Sequence, residues 1–446
     1  METEVQARLS PSQMLLMGFV FMIALGTALL MLPYSTHRGI SFIDALFTAT
    51  SAVCVTGLIV KNTPQDFTLF GQMVILGLIQ VGGLGYMSMS TMVALLAGRK
   101  IGLFERMMIK ESLNITSMEG VVRFIKRMLF FVFTAEALGT VCLLSVFGPH
   151  FGPQRGLLLS LFHSVSAFNN AGFSLFSDSL MQYRGSFTVN LTIMGLIILG
   201  GIGFVVFDDI FEWLKNRRRH LMQHTKIVLT STVFLIIFGA LVIYLNERNF
   251  LFKSMPLKET LLSSFFGSVT ARTAGFNTID YSRLQPQTLF FTILLMIIGA
   301  SPGSTGGGIK TTTFTVILMH LWSTLRGRKD TVIFKRRVPE LLISRALVIM
   351  ALSVVYITVV TFVVENIEHS GFLSTMFEVV SAFGTVGLSV GNGGSESLVA
   401  TFTSLSKMII IITMLVGRLG PLTLFTALLR QEEERIRYPE GRLMIG

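Results

Sequence analysis

The strongest constraint on this chain is a set of four apolar stretches too short to cross a bilayer, each lying between two long enough to do so. A spanning helix needs about 20 predominantly apolar residues. Runs of that kind fall at 13–33, 69–97, 128–147, 190–214, 227–245, 288–322 (interrupted), 346–364 and 407–429. Within each successive pair stands a shorter stretch: Phe42–Leu58, Leu157–Phe173, Thr260–Phe276 and Phe372–Leu388. About 11 helical residues reach roughly 17 Å, half the hydrocarbon core. Such a segment enters and leaves on one face. The chain beyond it carries backbone groups that lipid cannot satisfy, so it must be buried in protein or line a watery path.

The short stretches align on Gly57, Gly172, Gly275 and Gly387, spaced 115, 103 and 112 residues apart. Ten residues before each stands a phenylalanine: Phe47, Phe162, Phe265 and Phe377. Serine recurs six residues before three of the glycines, as Ser51, Ser166 and Ser381. The chain therefore divides into four copies of span, half-length segment, glycine loop and span. They cover 1–97, 98–215, 216–325 (with a glycine-rich interruption) and 326–446 (with a terminal tail). All four run in the same sense, which implies a pseudo-fourfold axis along the membrane normal rather than inverted repeats. The expected fold is an all-α integral membrane protein with eight transmembrane helices and four re-entrant loops around one central pore.

Charge supports this class. Only 14% of residues are charged, against roughly a quarter in soluble domains, and 51% are hydrophobic. That excludes a soluble enzyme, and also a nucleic-acid binder despite the net charge of +11. The connections 98–127, 215–226 and 323–345 carry 7, 5 and 7 basic residues, while the opposite connections hold 10 basic and 10 acidic residues in all. Basic loops stay cytoplasmic, so both termini are expected inside.

The four loops converge as Val55-Thr56-Gly57, Asn170-Ala171-Gly172, Thr273-Ala274-Gly275 and Thr385-Val386-Gly387. None contains an acid, which leaves backbone carbonyls to replace a cation's hydration shell. Glycine supplies the dihedrals that turn carbonyls toward an axis. The sixth span is broken by Gly299-Ala300-Ser301-Pro302-Gly303-Ser304-Thr305-Gly306-Gly307-Gly308, a run that cannot remain helical. It reads as a gate below the filter, with Gly299, Ser304, Thr305 and Gly306 to Gly308 as its candidate residues. Arg418, in the last inner span, is the other gate candidate. A mid-membrane arginine costs on the order of 3 kcal/mol unless it faces the interior, where it would hydrogen-bond carbonyls of that loop.

Two enzyme signatures in this run fail on chemistry. Gly299 to Gly303 fits G-x-S-x-G, but the residue after Ser301 is Pro302, which has no N–H for an oxyanion hole. Gly303 to Thr311 approaches a P-loop, but Ile309 displaces Lys310 by one position. Arg272 is expected behind the third loop, braced by Glu378. Lys310, Asp208 and Asp209 are expected at the interface, and His163 in packing. The sequence does not choose among partners for Glu136.

The fourfold repeat, the Ser268–Thr278 run S-V-T-A-R-T-A-G-F-N-T and the glycine-rich break resemble the Trk/Ktr/HKT superfamily of potassium transporters. With 12 residues before the first span, the chain is most similar to the KtrB-type membrane subunits of bacterial Ktr systems. The resemblance implies a potassium uptake pore, not an enzyme, with K+ as substrate and Na+ as activator. It also implies a homodimer under a cytosolic ring of RCK-type subunits (KtrA or KtrC type), which bind ATP/ADP or NAD(H). Glycine at all four filter positions matches potassium-selective members. A sodium-conducting or poorly selective pathway is the alternative.

Overall fold

The computed structural model describes residues 11–85, 121–216, 218, 220–391 and 395–428. The inner end of the second span, most of the basic connection 98–127 and the tail Arg430–Gly446 lie outside them.

Four long helices, α1 (Pro11–Leu30), α4 (Val121–Phe151), α8 (Gln223–Glu247) and α12 (Glu340–Glu368), form the periphery. Each is apolar and long enough to cross a membrane. Each turns a large aromatic residue outward: Phe21, Phe130, Phe234 and Phe362 are 65%, 76%, 59% and 68% exposed. Exposed rings on every peripheral helix suit hydrocarbon rather than water.

Each peripheral helix is followed by a short one: α2 (Phe42–Val53), α5 (Pro153–Phe168), α9 (Leu257–Thr270) and α13 (Phe372–Phe383). These occupy the core, with Phe47, Phe162, Phe266 and Phe377 at most 1% exposed. The third differs from the expectation. Phe265 is 41% exposed and its neighbour Phe266 is buried instead. The cause is a one-residue shift at the helix end. Thr56, Ala171 and Val386 donate backbone hydrogen bonds five residues back, to Ser51, Ser166 and Ser381, whereas Ala274 reaches only four back, to Thr270.

The inner segments are α3 (Leu69–Leu84), α6 and α7 (Phe187–Ile202 and Phe204–Lys215), α10 and α11 (Pro286–Ile297 and Thr311–Leu325), and α14 and α15 (Ser404–Leu419 and Pro421–Leu428). Side-chain hydroxyls of Thr68, Ser186 and Thr403 cap α3, α6 and α14. In the third copy Glu247 substitutes, accepting from Gln285 N at 3.0 Å and from Thr288 Oγ1 at 2.6 Å.

The sequence signals an interruption only in the third inner segment, yet the second and fourth also break. α6 and α7 meet at 94°. The breaks fall at Gly203 (φ 101°) and Gly420 (φ 85°), and α3 ends against Gly85 (φ 78°). These glycines close a recurring Gly-x-x-Gly: 82–85, 200–203 and 417–420. Its first glycine is needed for close approach. A Cβ at Gly82, Gly200 or Gly417 would collide with the carbonyl oxygen of Val53, Phe168 or Phe383, at the end of the short helix of the same copy.

The only strands among the described residues are the two-residue β1 (Val332–Ile333) and β2 (Arg336–Arg337), a tight hairpin turning through Phe334 and Lys335 at positive φ.

Candidate functional site

Beyond each short helix the chain adopts the same unusual backbone. Val55, Asn170, Thr273 and Thr385 have φ of 54°, 57°, 77° and 49°, and Gly57, Gly172, Gly275 and Gly387 have φ of 88°, 70°, 77° and 86°. The residues between them keep negative φ. A left-handed conformation costs an L-residue about 1–2 kcal/mol, and β-branched side chains bear it worst. The same outlier four times at one offset therefore belongs to the motif. Alternating the sign of φ turns successive carbonyls to one side of the strand.

Side chains behind the loops hold this shape. The hydroxyls of Ser51, Ser166 and Thr270 donate to the carbonyls of Leu58, Phe173 and Phe276 at 2.7, 2.8 and 2.8 Å. Ser51 Oγ also accepts from Gly57 N at 3.0 Å. Ser381 is the exception, with a buried hydroxyl that has no partner among the described residues.

The four glycines meet in a closed ring. A Cβ at Gly57 would lie 2.5 Å from Ala171 O, one at Gly172 2.9 Å from Ala274 O, and one at Gly275 2.5 Å from Val386 O. One at Gly387 would collide with Thr56 O, which completes the circuit. Each glycine thus abuts the carbonyl preceding the next, and a side chain at any of them would have to displace that carbonyl. The oxygen donors that this arrangement presents are backbone carbonyls.

The glycine-rich segment 299–308 lies against the triplets on the side of their first residues. Gly307 N donates to Thr385 Oγ1 at 3.0 Å, and the Asn170 carboxamide hydrogen-bonds Thr305 Oγ1 at 3.1 Å. Gly306 sits against Thr273 Oγ1, where a side chain would clash. The segment also zips to the second inner break. Ser301 N and Thr305 N donate to Gly201 O and Gly200 O at 3.0 and 3.2 Å, and Phe204 N donates to Gly303 O at 2.8 Å. Ser301 Oγ pairs with Thr311 Oγ1 at 2.9 Å, deep inside the protein, as a structural hydroxyl.

Arg418 ties three copies together. Its guanidinium donates to Thr305 O of the glycine-rich segment, to Gly82 O at 2.5 Å and to Gly83 O at 3.3 Å. It occupies the third position from the end of Gly-x-x-Gly, where the other copies carry Gly83 and Gly201. The repetition of this motif was the available signal for the inner breaks, and the short-helix alignment alone does not reveal it.

Some of the other expectations need correction. Glu378 does not brace Arg272. Its carboxylate accepts from Ser389 Oγ and, at 3.1 Å, from Val390 N. Among the described residues the Arg272 guanidinium reaches only Thr232 Oγ1, at 3.5 Å. Lys310 is not merely interfacial, since its ammonium donates to Gly306 O at 2.7 Å and clasps the glycine-rich segment from within. Asp209 is buried and accepts from Met222 N and Thr225 Oγ1, while Asp208 pairs with Arg127 at 2.9 Å. Glu136 binds the carboxamides of Gln80 and Asn169 at 3.3 and 3.1 Å. His163 bridges Leu159 O and Ser174 Oγ beneath Phe176, as packing.

The chain matches the profile of the TrkH family, described as cation transport protein, over residues 6–436. It is 44% identical over 442 residues to the Ktr system potassium uptake protein B of Bacillus subtilis (strain 168), covering 98% of this chain and 97% of that protein. It is 40% identical to the protein of the same name from Vibrio alginolyticus, over 97% of this chain and 94% of the relative. The potassium/sodium uptake protein NtpJ of Enterococcus hirae is also 40% identical, over 100% and 99%. In three dimensions the fold matches the crystal structure of the potassium transporter TrkH from Vibrio parahaemolyticus with a TM-score of 0.75 at 17% identity, covering 96% of this chain and 87% of that one. The chain is a multi-pass membrane protein and belongs to the TrkH family of cation transport proteins.

Proposed function

We propose that this protein takes up K+ across the bacterial plasma membrane through the ring of four glycines. One observation carries the reading: Gly57, Gly172, Gly275 and Gly387, from four separate parts of the chain, abut one another with a carbonyl at every junction. Such carbonyls substitute for the hydration shell of a monovalent cation. The triplets Val55–Gly57, Asn170–Gly172, Thr273–Gly275 and Thr385–Gly387 form the filter, and K+ is the substrate they bind. The segment 299–308 and Arg418 form the gate.

In this reading the chain crosses the membrane eight times, with four re-entrant loops and both termini cytoplasmic. The broken inner segments count as single crossings. The B. subtilis and V. alginolyticus relatives are named as parts of Ktr systems, which supports a multi-subunit assembly. The assembly proposed is a homodimer beneath a cytosolic RCK-type ring that binds nucleotide, with Na+ as activator.

Flux through the purified protein in vesicles tests the reading. K+ should pass, and deleting residues from 304–308 should raise the flux without any partner. Gly57→Ser should raise Na+ permeation relative to K+ by about tenfold, the equivalent of about 1.4 kcal/mol at one ion-binding layer. An active pore whose selectivity ignores that substitution overturns the filter. A second reading, a pathway that conducts sodium or discriminates poorly, is favoured by the name of the E. hirae relative. Equal K+ and Na+ flux in the unsubstituted protein would select it.

A further inference from the structure

On the opposite side of the glycine ring from the 299–308 segment lies a pocket lined by all four glycines and by the chain that follows them. Its polar lining includes Ser174, Asn277, Ser389 and Glu396. Glu396 is the one charged residue in that lining among the described residues. Among the described residues no lysine or arginine forms an ion pair with it, and Lys61, two residues past Ile59, is paired with Asp44 at 3.8 Å.

The position of Glu396 is built rather than incidental. Ser397 N donates to Ile59 O at 2.9 Å and Ile59 N donates to Ser397 Oγ at 3.0 Å, which locks the residue after Glu396 to the chain two residues past Gly57. Ser389 Oγ accepts from Leu398 N at 2.8 Å and donates to the buried Glu378, so both ends of this loop are pinned to α13. Asn277, also in the lining, is 6% exposed, and among the described residues its Oδ1 has no hydrogen-bond partner. A buried carboxamide oxygen without a donor bears an uncompensated desolvation cost unless something satisfies it.

We propose that this pocket is an outer cation site, where the Glu396 carboxylate and Asn277 Oδ1 hold a partly hydrated monovalent cation before it enters the ring. The site rests on the transport reading and adds a capture step to it. A carboxylate in a confined, otherwise neutral mouth concentrates cations and speeds their entry. That attraction is strongest where the Debye length is about 30 Å, near 0.01 M salt, and is screened at about 0.5 M.

The test is K+ uptake into vesicles against K+ concentration, at about 0.01 M and about 0.5 M ionic strength set with an impermeant organic cation. Glu396→Gln should raise the half-saturating K+ about threefold at low ionic strength, Glu396→Lys should raise it further, and both gaps should close at high ionic strength. Asn277→Ala removes a dipole rather than a charge, so its increase should persist at both ionic strengths. Wild-type half-saturation in Glu396→Gln at low salt overturns the site. So does an equal, salt-insensitive loss in the Gln and Lys variants, which would mark a structural role. No K+ flux in the unsubstituted protein overturns the transport reading and the site with it, which separates the two failures.

Discussion

The backbone N–H of Gly307 donates to the hydroxyl of Thr385 at 3.0 Å, so the glycine-rich segment hangs from the first residue of the fourth triplet. Thr385→Val keeps the branched shape in that left-handed position and removes only the acceptor. A net hydrogen bond contributes about 1 kcal/mol, so K+ flux without a partner should rise about fivefold. The readout is uptake into vesicles. Unchanged flux would detach this contact from gating.

Arg418 joins Thr305 O to Gly82 O and Gly83 O, which are carried by different copies of the repeat. Hydrogen bonds from a charged donor contribute about 1.5–3 kcal/mol each. Arg418→Ala should therefore raise partner-free flux about tenfold or more. Arg418→Lys retains the charge but not the planar fork, and a point charge cannot span carbonyls on two elements. It should behave more like Ala than like Arg. If Lys instead restores wild-type flux, charge repulsion in the pore is the controlling effect and the clasp is not.

The hydroxyls behind the ring are not equivalent. Ser166 Oγ holds Phe173 O at 2.8 Å, whereas Ser381 Oγ has no partner among the described residues. Ser166→Ala should lower the K+ to Na+ flux ratio several-fold. Ser381→Ala should leave it unchanged, and matched effects would show that these serines act only as small residues.

Gly203 has φ of 101°, and a Cβ there would lie 2.5 Å from Pro302 O. Gly203→Ala should destabilise the protein by about 1–2 kcal/mol, seen as a lower midpoint of thermal unfolding in detergent. Gly195, also in the second inner segment, has open space where a Cβ would point. Gly195→Ala should be neutral or stabilise by up to about 1 kcal/mol, as expected for a helix interior.

Much of the architecture is legible in the chain because bilayer thickness is a ruler. A segment such as Phe42–Leu58 cannot span, and a run such as 299–308 cannot stay helical, whatever surrounds them. The identity of the loop glycines is legible for a related reason, since four glycines at one offset point to one shared backbone requirement. Contacts were less accessible. Pairing Arg272 with Glu378 follows from charge alone, but the structure gives Glu378 to Ser389 and Val390 and leaves Arg272 against Thr232. Aligning Phe265 with Phe47 follows from counting, but α9 ends one residue out of step and buries Phe266.

By itself, then, the sequence determined a fourfold apolar chain with half-length segments, glycine loops and an inward arginine, because segment length and residue type decide what hydrocarbon can surround. Only the tertiary structure decided which carbonyls Arg418 and Lys310 hold, that Gly203 and Gly420 break inner segments that read as continuous, and that Glu396 stands at the mouth of the ring. Those outcomes depend on how separate parts of the chain approach one another. Local periodicity carries no record of a neighbour a hundred residues away.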